Sequence, residues 1–191
     1  MQAFDSLSRD IQQYIYDKGW PSLTHIQNAA IKQVANTDHN LILSAPTASG
    51  KTEAAFIPAL NSVEDWETGL KVLYISPLKA LINDQFHRIS ELSEYLDIPI
   101  TRWHGEVSQA QKKKVVNQPK GVLLITPESI EGMLVNRHGE AQHLFKGVEW
   151  IIIDELHSFL GTERGIHLQS LLQRISRFMQ APRFIAMSAT L

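Results

Sequence analysis

The stretch that most restricts what this chain can fold into is Ala45-Pro46-Thr47-Ala48-Ser49-Gly50-Lys51-Thr52. An apolar run, Leu41-Ile42-Leu43, precedes it, and the helix-compatible Glu53-Ala54-Ala55-Phe56 follows. A buried strand, a tight loop ending Gly-Lys-Thr and then a helix is the layout of a phosphate-binding loop, or P-loop. Consecutive backbone N–H groups curl around an anion at the helix N-terminus, where the helix dipole favours negative charge. Gly50 lets the backbone approach closely, Lys51 sets an ammonium against β- and γ-phosphates, and the Thr52 hydroxyl suits Mg²⁺. The pattern predicts a nucleotide phosphate site made by Thr47, Ala48, Ser49, Gly50, Lys51 and Thr52. One departure is that the first glycine of the usual pattern is Ala45.

Short apolar runs repeat along the rest of the chain, at Val72–Ile75, Ile100–Trp103, Val122–Ile125, Val148–Ile153 and Arg183–Met187. Segments with helical spacing separate them, which predicts an α/β fold with a mostly parallel sheet covered by helices on both faces. Leu7, Ile11, Tyr14 and Ile15 share one helical face, with Ser6 or Ser8 as cap and Gly19 as stop. Thr24 and Gln27 make a capping-box pattern for the next helix. Pro58 is expected to kink or end the helix after the P-loop. Leu81, Phe86, Ile89 and Leu92 mark a long amphipathic helix, Ser108 caps a polar one, and Ile130, Met133 and Leu134 line another. Asn136 to Gly139 reads as loop, and Ile166 to Phe178 as a helix.

The chain has 191 residues, no cysteine and a formal net charge of −2. That length supports one domain with a sizeable core. The missing thiols exclude a disulfide framework and a Cys-based zinc site. Nothing at the start resembles a signal peptide, and no run reaches the ~18 apolar residues of a membrane span. A soluble cytoplasmic protein without a membrane partner is expected. The balanced charge gives no global basic field for nucleic acid, which leaves a local face as the means of holding phosphates.

Asp154-Glu155 closes the most apolar run. In parallel α/β sheets the C-terminal ends of the strands carry the ligands, and the P-loop follows its own strand at that end. Two adjacent carboxylates there divide the work of hydrolysis. Asp154 holds the metal, and Glu155 orients and deprotonates the attacking water. Taken alone, such a pair is more often an exposed acidic helix start.

With Ala-Pro-Thr-Ala-Ser-Gly-Lys-Thr at 45–52, Asp-Glu-Leu-His at 154–157 and Ser-Ala-Thr at 188–190, the chain resembles the superfamily-two DExH/DEAD-box helicases through motifs I, II and III. Ser76-Pro77-Leu78-Lys79-Ala80-Leu81 looks like motif Ia, and Thr126-Pro127-Glu128-Ser129 looks like motif Ib. Ile153-Asp154-Glu155-Leu156-His157 with Gly161-Thr162-Glu163-Arg164-Gly165 is similar in wording to the Lhr-type large helicases.

The resemblance implies a RecA-like first motor domain, with a Q-motif helical segment at 1–35 and a motor core at 36–191. It implies ATP and Mg²⁺ as cofactors, with Gln27 reading the adenine edge and Phe4 or Trp20 as candidates to stack on the base. Lys51, Asp154 and Glu155 are then the catalytic residues, with Thr52 and Asp154 on the metal. Pro77, Leu78, Lys79, Gly105, Thr126, Pro127 and Glu128 hold the backbone of a single strand, DNA favoured over RNA. His157, Ser188 and Thr190 couple the nucleotide side to motif III. Motifs IV to VI are absent, so a second RecA-like domain with its arginine fingers is expected in a longer protein. Lys112-Lys113-Lys114 reads as a solvated helix face, and Arg102, Arg137 and Arg164 are further phosphate candidates. The rival readings are an RNA-dependent ATPase of the same superfamily and an unrelated P-loop module.

Overall fold

The computed structural model describes residues 3–46 and 48–190. Its strands are β1 (Leu41–Ser44), β2 (Gly69–Ile75), β3 (Ile100–Trp103), β4 (Lys120–Ile125), β5 (Trp150–Ile153) and β6 (Arg183–Ser188). They form one sheet in the order β1-β6-β5-β2-β4-β3, and every pairing is parallel. The helices are α1 (Arg9–Asp17), α2 (His25–Asn36), α3 (Lys51–Ser62), α4 (Lys79–Tyr95), α5 (Gln109–Asn117), α6 (Pro127–Asn136), α7 (His138–Phe145) and α8 (Glu163–Ser176).

The strands are apolar on both sides because both sheet faces are covered. Val72 and Tyr74 of β2 pack with Ile152, Ile185 and the helices α1 to α4. Their neighbours Leu73 and Ile75 join Ile151 and Ile153 under α6, α7 and α8. Helix starts follow short hydroxyl side chains, whose oxygens satisfy otherwise orphaned N–H groups. Ser8, Thr24, Ser108, Thr126 and Thr162 each accept from the N–H three residues on. Among the described residues no helix is long and apolar enough to cross a membrane.

Several expectations change. Pro58 neither ends nor interrupts α3, which runs on to Ser62. The segment from Ala54 to Leu60 is buried throughout, and that packing outweighs the hydrogen bond lost at proline. Asn136 to Gly139 is not a loop. Arg137 alone separates α6 from α7, whose buried Ala141, Leu144 and Phe145 have helical spacing. The strand before the P-loop is an edge strand, not a buried one, so Ile42 is 59% exposed. Lys112 is buried at 8% exposure, contrary to a solvated face.

Candidate functional site

All six strands run the same way, so the residues that follow them gather on one rim. From one edge inward these are Ala45–Thr52 after β1, Ala189-Thr190 after β6 and Asp154-Glu155 after β5. Next come Ser76–Lys79 after β2, Thr126 after β4 and His104-Gly105 after β3. The P-loop and the acidic pair therefore share the rim, with only β6 between their strands. Thr47, expected among the phosphate contacts, lies outside the described residues.

The P-loop has the backbone of an anion cradle. Ala48 has φ +61° and Gly50 φ +83°, left-handed conformations that orient successive N–H groups inward. Ala48 bears that conformation with a Cβ, at a cost of about 1–2 kcal/mol. Gly50 starts α3 and no side chain caps it. The Ser49 hydroxyl is buried without a partner. Lys51 Nζ donates to the carbonyls of Ala45 and, at 2.7 Å, Pro46. An uncapped helix start, an orphaned hydroxyl and an ammonium resting on its own loop fit a phosphate group as the missing acceptor.

Asp154 is 6% exposed. One carboxylate oxygen accepts the hydroxyl of Tyr74, and the other accepts Glu155 N–H at 2.9 Å. Burial raises its pKa, against the lowering effect of those two hydrogen bonds and the attraction of Lys51. Burial and the Asp154 charge push Tyr74 well above the usual phenol range. Thr52 is also buried, at 5% exposure. No cluster of three or more His, Cys, Asp or Glu side chains is placed to hold a metal among the described residues. One hydroxyl and one desolvated carboxylate suit Mg²⁺, which takes few protein oxygens and completes its shell from phosphate and water.

Glu155 has a left-handed backbone, φ +48°, and its carboxylate lies 3.1 Å from His157 Nε2. The other ring nitrogen of His157 is 3.2 Å from Ser188 Oγ and 3.4 Å from Ala189 N. The Ser188 carbonyl accepts Ala45 N–H at 3.3 Å, and its hydroxyl donates to the Thr190 carbonyl. Ser188 thus touches the root of the P-loop through its carbonyl and the acidic motif through its hydroxyl.

Gln27 is 4% exposed and its amide is already engaged. Oε1 accepts Thr24 N–H at 2.9 Å, completing the capping box, and Nε2 donates to the Gly50 carbonyl at 3.4 Å. Phe4 and Trp20 both pack against the core, Trp20 edge-on to Tyr14. A cavity of about 470 Å³ beside the P-loop is lined by Thr24, His25, Ile26, Ser44 and Ser49 among others.

The remaining rim residues are bridged across loops. Lys79 pairs with Glu106, next to Gly105. Arg164 donates to the Pro77 carbonyl at 2.8 Å and to Glu128 at 2.7 Å, tying the loop after β2 to the start of α6. Leu78 is 56% exposed, whereas Pro127 is buried as the first residue of α6. Thr126 spends its hydroxyl locally, accepting Ser129 N–H and donating to Ser129 Oγ at 3.0 Å. Arg102, one residue before the end of β3, donates to Asn83 and lies over the Phe86 ring. Sequence reasoning passed over Tyr74 and Glu106. A tyrosine in a fully buried strand was a usable signal, because its hydroxyl must find a partner.

The family model for "DEAD/DEAH box helicase" matches residues 24–191. The chain belongs to that family. It is 29% identical over 208 residues to the ATP-dependent helicase Lhr-Core of Methanocaldococcus jannaschii, covering 100% of this chain and 24% of that protein. With the Lhr helicase/uracil glycosylase of Escherichia coli it shares 34% identity, covering 87% of this chain and 12% of the other. The solved structure of Mycobacterium smegmatis helicase Lhr bound to ssDNA and AMP-PNP superposes with a TM-score of 0.85 at 27% identity. That match covers 100% of this chain and 26% of that one, so the family chain described here spans about a quarter or less of these helicases. The sheet is a RecA-like helicase motor fold.

Proposed function

We propose that this helicase-family chain is the ATP-binding motor domain of a nucleic-acid-dependent ATPase, coupling hydrolysis to movement along a single strand in a longer protein. The observation that carries the reading is the shared rim. The loop carrying Lys51 and the strand end carrying Asp154 are separated by β6 alone, and the cradle between them has an unpartnered Ser49 hydroxyl and a helix start without a side-chain cap. In this reading Ala48, Ser49, Gly50 and Lys51 hold the phosphates, while Thr52 and Asp154 hold Mg²⁺. The bound ion would neutralise the β- and γ-phosphate oxygens. Tyr74 and the Glu155 N–H each hold one oxygen of Asp154, which fixes its carboxylate. Glu155 orients the attacking water and takes its proton, and His157 holds the Glu155 carboxylate in place.

ATP is favoured over GTP because the Gln27 amide lies beside the P-loop and, beyond its bonds to Thr24 and Gly50, keeps a second N–H and a second lone pair for an adenine edge. The strand lies along Pro77, Leu78, Lys79, Gly105, Thr126, Pro127 and Glu128, with backbone groups and helix starts as phosphate contacts. DNA is favoured over RNA because the Lhr structure that superposes along the whole chain is bound to ssDNA and AMP-PNP. A second RecA-like domain supplies the arginine that stabilises transition-state charge, worth ~10³–10⁵ in rate. His157, Ser188 and Thr190 transmit the nucleotide state through β6.

The test is steady-state ATPase of the longer protein with single-stranded DNA, single-stranded RNA and neither. Stimulation by DNA is expected, with Glu155→Gln abolishing turnover and leaving Mg·ATP binding intact. Turnover indifferent to either nucleic acid would overturn the motor reading, and stimulation by RNA alone would overturn the preference for DNA.

A further inference from the structure

Lys112 is the anomaly of the charged residues. It projects from α5, is 8% exposed, and its ammonium makes no ion pair or hydrogen bond among the described residues. Its only neighbour of opposite character is the Trp103 ring, 5.7 Å from the ammonium. The aliphatic stem is covered while the charged tip opens into the hollows it lines, where the cation–π contact returns ~0.5–2 kcal/mol. Glu106 pairs with Lys79, and Glu140, which lines a hollow with Lys112, lies 3.8 Å from Arg137.

The ammonium lines a hollow of about 290 Å³ between α5 and α6, together with Trp103, Gly105, Ser129, Gly132 and Arg137. A second hollow of about 360 Å³ shares Lys112 and Arg137 with it and adds Lys113 and one carboxylate, Glu140, so the two make one groove with three cations against a single acid. The groove is open because two of its residues have no side chain. A Cβ on Gly105 or Gly132 would meet nothing within 4 Å, so packing does not require glycine at either place. Inside a helix Gly132 destabilises by roughly 0.5–1 kcal/mol relative to alanine. Ser129 Oγ accepts the Thr126 hydroxyl, which leaves its own proton free to donate into the hollow.

We propose that this groove holds a backbone phosphate of single-stranded nucleic acid, gripped by Lys112, Arg137 and Ser129. It extends the track past Gly105 and the start of α6, and so rests on the reading of the rim as a nucleic-acid face. An unpaired ammonium on a covered stem, an otherwise unexplained helical glycine and a free hydroxyl all converge on one anion.

The experiment is fluorescence anisotropy of this chain with labelled oligo-dT and oligo-rU over a series of salt concentrations. Lys112→Met should weaken strand binding about tenfold and flatten the salt dependence by about 0.7 in log–log slope. Gly132→Leu, which fills the hollow without touching a charge, should weaken binding while Gly132→Ala keeps it. None of these changes should alter binding of a fluorescent ATP analogue. The proposal is overturned if Lys79→Ala weakens strand binding while Lys112→Met and Gly132→Leu bind as the parent does. Should the parent bind neither oligonucleotide, the nucleic-acid reading of the rim fails and this inference falls with it. If Lys112→Met does not fold, Gly132→Leu decides.

Discussion

Gly50→Ala tests whether the P-loop and the Gln27 amide form one mechanical unit. The substitution forces an L-residue into φ +83°, which costs about 1–2 kcal/mol on its own. The new Cβ would also stand 2.6 Å from Gln27 Nε2, inside contact distance. Gln27 is pinned by Thr24 N–H at one end and the Gly50 carbonyl at the other, so moving it weakens the α2 cap by about 0.5–1 kcal/mol. The combined loss is about 1.5–3 kcal/mol, or roughly 3–12 °C in melting temperature for a chain of this length. Thermal unfolding followed by far-ultraviolet circular dichroism measures it on four proteins without nucleotide: parent, Gly50→Ala, Gln27→Ala and the double variant. Because Gln27→Ala removes the atom that the Cβ strikes, Gly50→Ala should cost about 0.5–1 kcal/mol less in that background. An identical cost in both backgrounds would refute the contact. An unchanged melting temperature for Gly50→Ala would refute the left-handed backbone as well.

Burial disfavours the charged form of Asp154, so Asp154→Asn should stabilise the nucleotide-free chain by about 0.5–2 kcal/mol in thermal melts while abolishing turnover in the longer protein. Glu131 is hydrogen-bonded to Arg174 and to His167, and its pKa falls to about 2, led by the Arg174 bond. A depressed carboxylate contributes stability above its unfolded pKa and loses it as pH drops through the folded one. Glu131→Gln should therefore cost about 1 kcal/mol at pH 7, after allowance for the partial exposure of the pair. Urea unfolding should show that difference vanishing between about pH 4.5 and pH 2. Arg164→Ala unties Pro77 from Glu128 and should weaken single-strand binding severalfold in anisotropy, with ATP-analogue binding unchanged.

The sheet was readable from the sequence because each strand is a short apolar run that stops at a polar or proline-containing turn, as at Ile75-Ser76-Pro77 and Ile153-Asp154. Parallel strands then force those stops onto one edge, so the gathering of Lys51, Asp154 and Thr126 on the rim followed from pattern alone. What escaped depends on register and packing. Tyr74 reaches Asp154 across 80 residues of sequence and Arg164 reaches Pro77 across 87, and no local spacing announces either. Helix α7 hid behind Gly139 and its polar surroundings, although Ala141, Leu144 and Phe145 carried the periodicity. Lys112 sits in a run of lysines that looks solvated until Trp103 and α6 close over it.

The position of β6 has a mechanical consequence. It is laddered to β1 on one side and to β5 on the other, with Ser44 level with Ser188 and Ile153 level with Ala186. The loop after β1 and the carboxylates after β5 therefore cannot shift relative to each other without shearing one of those ladders or dragging the Ser-Ala-Thr tail along. A tail hydrogen-bonded to Ala45 at its carbonyl and to His157 at its hydroxyl is displaced by whichever neighbour moves first. Under the proposed motor reading, a change in what the two sides grip is met most cheaply by a tilt of Ser188-Ala189-Thr190, the lever arm that reading requires.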